Sequence, residues 1–143
     1  MAGTYLLGPC GGNGGGQRDM DISAGNRILK VQLRHGHAID AIQIMYRRNG
    51  ADVWTGQWGG GGGQFSEFNL DDDESLRSIR GHYGTFAGVS VVRSLTFVSN
   101  KRTYGPYGRQ EGVAFTLEAP DKRIVGFTAR SGLYLDALGI YVA

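Results

Sequence analysis

Residues 132–140 read Gly132-Leu133-Tyr134-Leu135-Asp136-Ala137-Leu138-Gly139-Ile140, and the same grammar returns at 36–44 as Gly36-His37-Ala38-Ile39-Asp40-Ala41-Ile42-Gln43-Ile44. A looser third copy runs from Gly88 through Val92 to Phe97. Each is a glycine, three residues, a fifth position occupied by Asp, Val or Asp, and then an apolar strand. The copies are 88 − 36 = 52 and 132 − 88 = 44 residues apart. A second set of markers keeps the same beat: the turn Gly11 to Gly15, the run Gly59 to Gly63, and Tyr104-Gly105-Pro106-Tyr107-Gly108. Their spacings are 59 − 11 = 48 and 105 − 59 = 46, and a third of the 143 residues is about 48. Repeats of that size are too small to hold a core alone and must pack together, one antiparallel sheet each, around a pseudo-threefold axis. The expectation is an all-β, three-sided prism.

The rest of the chain has the same all-β character. Strand patterns occur at Ile28–Leu33, Ala38–Tyr46, Val91–Val98, Val113–Leu117, Ile124–Thr128 and Leu138–Val142. Turn chemistry sits between them at Asn49-Gly50, Gly105-Pro106, Ala119-Pro120-Asp121 and Ser131-Gly132. No stretch sustains helical periodicity over three turns. The chain carries 25 glycines but only 3 prolines, which excludes collagen and Pro-rich linkers and implies backbone that turns tightly or is approached closely. The length suits one domain, residues 1–143, with one core. Net charge is +2, with 41% hydrophobic and 20% charged residues, a balance that argues against disorder and against a nucleic-acid partner held by bulk charge. No apolar run approaches the ~20 residues of a membrane span, so membrane insertion is not expected. The lone Cys10 cannot form an internal disulfide and the first residues lack a signal pattern, so the cytoplasm or nucleus is the expected compartment.

The Gly-x-x-x-Asp loop with a glycine-rich turn beside it offers two kinds of group. Glycine lets a ligand approach main-chain N–H donors, and an ionised aspartate accepts protons from two hydroxyls. Vicinal sugar hydroxyls match that set, since each can donate to the carboxylate while its oxygen accepts from an amide.

The chain resembles a jacalin-related lectin from about Leu7 to Val142. The resemblance rests on the 11–15 turn, on Val91–Phe97 followed by Asn100–Gly108, on Ile124-Val125-Gly126-Phe127, and on Gly132 to Asp136. It implies a β-prism I fold of three antiparallel Greek-key sheets, a plant source, and carbohydrate binding without catalysis, cofactor or metal. The primary sugar site it implies uses the Asp136 carboxylate for the 4- and 6-hydroxyls. The Leu133 and Tyr134 amides serve the ring oxygen and 6-hydroxyl, and the Gly15 amide the 3- and 4-hydroxyls. Gly132 shapes the loop, and Tyr134 adds a packing face. Two loops of this kind bind sugar in some family members, which makes Gly36, His37, Ala38, Asp40 and Gly63 a second site. His37 stands there where a working second loop can carry an acid. The third copy, with Val92 at the fifth position, should not bind. An uncut chain through the first turn resembles the mannose/glucose-preferring branch, and mannose- or glucose-containing glycans and glycoproteins are the implied partners. Exposed sheet edges leave room for dimers or higher oligomers.

Other readings stand beside this one. They are a galactose-preferring lectin, a protein-interaction module with a vestigial sugar site, and a glycoside hydrolase. The last needs two carboxylates ~5–10 Å apart, and each loop offers one, on separate sheets. His35, His37 and Asp40 lack a further ligand for a metal. Asp71-Asp72-Asp73-Glu74 reads as a solvated loop, and Arg47-Arg48 and Lys101-Arg102 as exposed turn charges. No Gly-Lys-Ser/Thr follows the glycine runs, so they are not phosphate loops.

Overall fold

A computed structural model describes residues 3–118 and 121–143. Thirteen strands form three antiparallel sheets, and there is no helix among the described residues. The first sheet joins both ends of the chain: β1 (Tyr5–Gly11), β13 (Leu135–Val142), β12 (Ile124–Ser131) and β2 (Gly16–Asp19), in that spatial order. In the second, β5 (Ala51–Trp54) and β6 (Trp58–Gly59) both pair with β4 (Ile39–Arg48), followed by β3 (Arg27–His35) and β7 (Gln64–Asn69). The third runs β10 (Thr103–Gly108), β9 (Val89–Ser99), β8 (Leu76–Phe86), β11 (Val113–Glu118). Each sheet is thus a central hairpin flanked by the preceding or following outer strands, the expected Greek-key prism.

The sequence announces the central strands β3, β4, β9, β12 and β13 and the edge strand β11, but not the central β8. β4, β9, β12 and β13 each bury four or five apolar side chains because their sheet faces meet on the axis of the prism. Phe97 and Phe127, both fully buried, pack edge-to-face with ring centroids 6.4 Å apart, and Phe68 lies 5.3 Å from Phe97, so one ring from each sheet meets at the centre. Burying such side chains contributes roughly 1.5–3 kcal/mol each. Asn49 and Gly50, at φ 53° and 79°, close the β4–β5 hairpin with the two positive-φ residues that a type I′ turn requires.

Three expectations need correction. Gly105-Pro106 is not a turn. It lies inside β10, an edge strand, where the register with β9 shifts between Tyr104 and Tyr107 and no ladder bond is asked of the proline. The counterpart of the 11–15 and 59–63 turns therefore comes later, at Arg109–Gly112. Gly11, Gly59 and Gly108 each leave no room for a Cβ against the carbonyl of Asp136, Asp40 and Arg93 respectively, which makes them equivalent, at spacings 59 − 11 = 48 and 108 − 59 = 49. Likewise the third counterpart of Asp136 and Asp40 is Arg93, not Val92. All three are the extra residue of a bulge in the central hairpin, with Ala137, Ala41 and Ser94 resuming the ladder. Val92 instead matches Leu135 and Ile39 and is fully buried. The third correction concerns the acidic run. Glu74 is only 1% exposed, accepting from Ser99 Oγ at 2.6 Å and Tyr104 Oη at 2.7 Å, while Asp71 and Asp73 pair with Lys101 and Arg102. In the turn expected at Ala119-Pro120-Asp121, Ala119 and Pro120 lie outside the described residues.

Candidate carbohydrate-binding site

At one end of the prism the tips of the three central hairpins cluster. The β12–β13 tip carries Gly132, Leu133 and Tyr134, and the β1–β2 turn lies beside it because both belong to the sheet closed by the two chain ends. Gly12 donates its N–H to the Asp136 carbonyl at 2.8 Å, and Gly60 does the same to Asp40 at 2.9 Å. A Cβ at Gly14 would stand 2.9 Å from Asp136 Oδ2, and one at Gly15 2.7 Å from Oδ1 and 2.6 Å from the Ser131 carbonyl. Gly15 also sits at φ 69°, so neither its space nor its backbone admits another residue without strain. The turn is pinned from outside by Arg130, whose Nε and Nη2 donate to the Gly14 and Gly15 carbonyls at 3.0 and 2.8 Å.

All five residues expected of the primary site, Gly15, Gly132, Leu133, Tyr134 and Asp136, line one open cleft of about 310 Å³. Its remaining wall is Gly14 with Ala87 and Val89 from the tip of the β8–β9 hairpin. Asp136 is 6% exposed and is the acid among the cleft residues. Burial raises its carboxyl above the usual range, while the Arg130 charge and the main-chain amides of Asp136 and Gly132 draw it partly back. Leu133, by contrast, is 82% exposed at the rim.

The second loop repeats the plan with differences. Cβ atoms at Gly62 and Gly63 would stand 2.9 and 2.7 Å from Asp40 Oδ2 and Oδ1, and Arg34 pins this turn through the carbonyls of Gly61, Gly62 and Gly63. Gly36, Asp40 and Gly63 thus hold the expected places. Ala38 is buried where the first loop has the partly exposed Tyr134, so no aromatic face is offered. His37 stacks on Phe86 at 6.1 Å and its carbonyl accepts from Arg93 Nε at 2.9 Å. His35 lies on β3 against Tyr107 and bonds Ser66 Oγ at 2.7 Å, so the two histidines do not share one face. Burial raises the Asp40 carboxyl too, against the opposing charges of Arg34, His35 and His37.

In the third sheet an arginine takes the carboxylate position and supports the neighbours instead of presenting an acceptor. Arg93 bonds His37, Thr85 and Glu111 and lies 5.2 Å from the Phe86 ring. Phe86 in turn meets Tyr134 edge-on at 5.5 Å, so this hairpin stands between both loops. The residues missed from the sequence are Gly14, Ala87, Val89, Phe86, Arg130 and Arg34. A signal for two of them existed: Arg34-His35-Gly36 and Arg130-Ser131-Gly132 place an arginine two residues before each loop glycine.

Residues 7–141 match the family described as the jacalin-like lectin domain. The chain belongs to that family. It is 41% identical to Jacalin-related lectin 19 of Arabidopsis thaliana, over 98% of this chain and 81% of the relative. Jacalin-related lectin 3 of the same plant is 42% identical over 94% of this chain, which spans only 23% of that longer protein. Among solved structures, a mannose binding jacalin related lectin from Ananas comosus superposes with a TM-score of 0.93 at 42% identity, covering 99% and 98% of the two chains. Artocarpin in complex with mannotriose gives 0.88 at 36% identity, covering 100% and 99%. These likenesses bear out the jacalin-type β-prism.

Proposed function

We propose that this jacalin-type lectin binds mannose- or glucose-type glycans, without catalysis, at the cleft between the 12–15 turn and the 132–136 loop. The observation that carries the reading is a desolvated Asp136 carboxylate in an open cleft of about 310 Å³, packed so closely by Gly14 and Gly15 that a side chain at either would crowd its oxygens. Asp136 accepts from two hydroxyls, and the amides of Gly15, Leu133 and Tyr134 donate to sugar oxygens. Relatives of this chain are named mannose/glucose-specific, as in the lectin of Parkia platycephala, which favours that class over galactose. Gly36, His37, Ala38, Asp40 and Gly63 form a second, weaker site. Asp136 is the one acid lining its cleft, with no partner carboxylate there for glycoside hydrolysis.

A few net hydrogen bonds of about 1 kcal/mol each and little apolar burial give roughly millimolar affinity for a monosaccharide, so two sites per chain raise avidity for branched glycans. Isothermal titration with methyl α-mannoside and methyl α-galactoside tests this. Saturable heat with the mannoside alone is expected, and silence at tens of millimolar of both sugars overturns the lectin reading.

A further inference from the structure

The opposite end of the prism holds a cavity of about 390 Å³ that the sugar chemistry does not use. It lies where β3, β8 and β12 begin. Their first core residues, Ile28, Leu76 and Ile124, are spaced 76 − 28 = 48 and 124 − 76 = 48 and are at most 3% exposed. The residues just before them, Arg27, Ser75 and Arg123, are therefore threefold counterparts, and all three line the cavity. Eight residues of strand at ~3.3 Å each put this pole roughly 25 Å from the sugar-binding loops.

The polar groups here are arranged asymmetrically. Arg123 donates Nη1 and Nη2 to the Asn26 and Ala24 carbonyls at 2.7 and 2.8 Å, and Arg27 donates Nη2 to the Asp71 carbonyl at 2.7 Å. These bonds hold the guanidinium groups in place but neutralise neither, and each retains N–H donors, since a guanidinium carries five. Arg77, on β8, is close enough for its charge to be felt by Arg123, and its buried Nε has no partner among the described residues. Burial, with the charges of Arg27 and Arg77, holds the Arg123 guanidinium below its ordinary value. The acids nearby are mostly committed elsewhere. Asp73 is held by Lys101 at 2.5 Å, Asp71 by Arg102 at 2.9 Å, and Glu74 is turned inward onto Ser99 and Tyr104. Three carboxylates line the cavity, those of Asp72, Asp73 and Glu74, and Asp72 is the one of them that makes no ion pair among the described residues, its charge being felt by Arg47.

We propose that this axial cavity is an anion site, taking a phosphate or sulfate group on Arg27, Ser75 and Arg123. A tetrahedral oxyanion presents several oxygens to the donors of three residues that are threefold counterparts along their strands, and guanidinium groups bind such oxygens through paired N–H donors. The cavity is larger than the anion, so an ester such as a phosphorylated or sulfated sugar fits the same chemistry.

The test is an amide ¹H–¹⁵N titration of the full chain with inorganic phosphate, pyrophosphate and sulfate, against sodium chloride at matched ionic strength. Saturable shifts at Arg27, Ser75 and Arg123, with pyrophosphate saturating at lower concentration than phosphate, are expected. They should persist with saturating methyl mannoside and leave Gly15 and Asp136 unmoved. Arg123→Gln should weaken binding at least tenfold. Because Arg123 also fastens the chain at Ala24 and Asn26, Arg27→Gln, which loses one exposed bond, serves as the second variant. Sulfate binding without phosphate, or the reverse, supports the site and tells which ester it prefers. Shifts that follow chloride, or variants that titrate like the wild type, overturn it.

Discussion

Asp136 pays for its position with desolvation and makes no ion pair among the described residues, which separates its proposed role in binding from any role in stability. Asp136→Asn keeps the shape and removes the charge. Charge-assisted hydrogen bonds are worth about 1.5–3 kcal/mol each, so mannoside affinity should fall more than tenfold in isothermal titration, while the melting temperature stays level or rises. The sign of the pH effect follows from the same shift. A carboxyl raised above its unfolded value is penalised when ionised in the fold, so its cost to stability is present at neutral pH and fades as pH falls through the folded value. Sugar binding runs the other way, because only the ionised form accepts from two hydroxyls. Affinity measured from pH 7 downward should decline before an ordinary aspartate would protonate, and a flat profile through pH 4 would contradict this assignment. Asp136 was legible as the candidate ligand from its repeat with Asp40. The identity of the third position was not, because a bulge adds one residue to a strand and shifts the count from Val92 to Arg93.

The pairing of a pinned glycine turn with a hairpin tip is the working unit at the level of elements. Arg130 holds the first turn through two carbonyls and Arg34 holds the second through three. Arg130→Ala should loosen the 12–15 turn and weaken the first site about 3- to 10-fold by losing preorganisation, with little change in melting. Arg34→Ala should weaken only the second site. Site-resolved amide shifts with mannoside distinguish the two, and equal effects of either variant on both loops would show that the turns are not independently held. The sequence showed β4, β9, β12 and β13 clearly, since each buries four or five apolar side chains. It did not show the outer strands β1, β2, β5, β6, β7 and β10, of which β2 and β5 are wholly exposed, or the central β8, whose glycines and charged residues broke the pattern. Outer strands are recruited by the ladder of a neighbour, and ladder bonds leave no mark on side-chain composition.

Across the whole molecule, three sheets share one core through Phe68, Phe97 and Phe127. Phe97→Ala should cost about 3–5 kcal/mol in urea unfolding, because large-to-small changes at a fully buried ring leave a cavity that rigid sheets cannot collapse. The loss should come as a single transition seen alike by Trp54 and Trp58 fluorescence and by far-ultraviolet dichroism. A separate early step would mean that the sheets melt independently. The threefold plan was written in the sequence by itself, because each repeat must supply the same glycines and the same buried aliphatics to close the same kind of sheet. Which residues face one another at the ends of the prism was decided only in three dimensions. The meeting of Ala87 and Val89 with Asp136, of Phe86 with both loops, and of Arg27 with Arg123 depends on sheets packing around an axis, and contacts across that axis have no fixed separation along the chain.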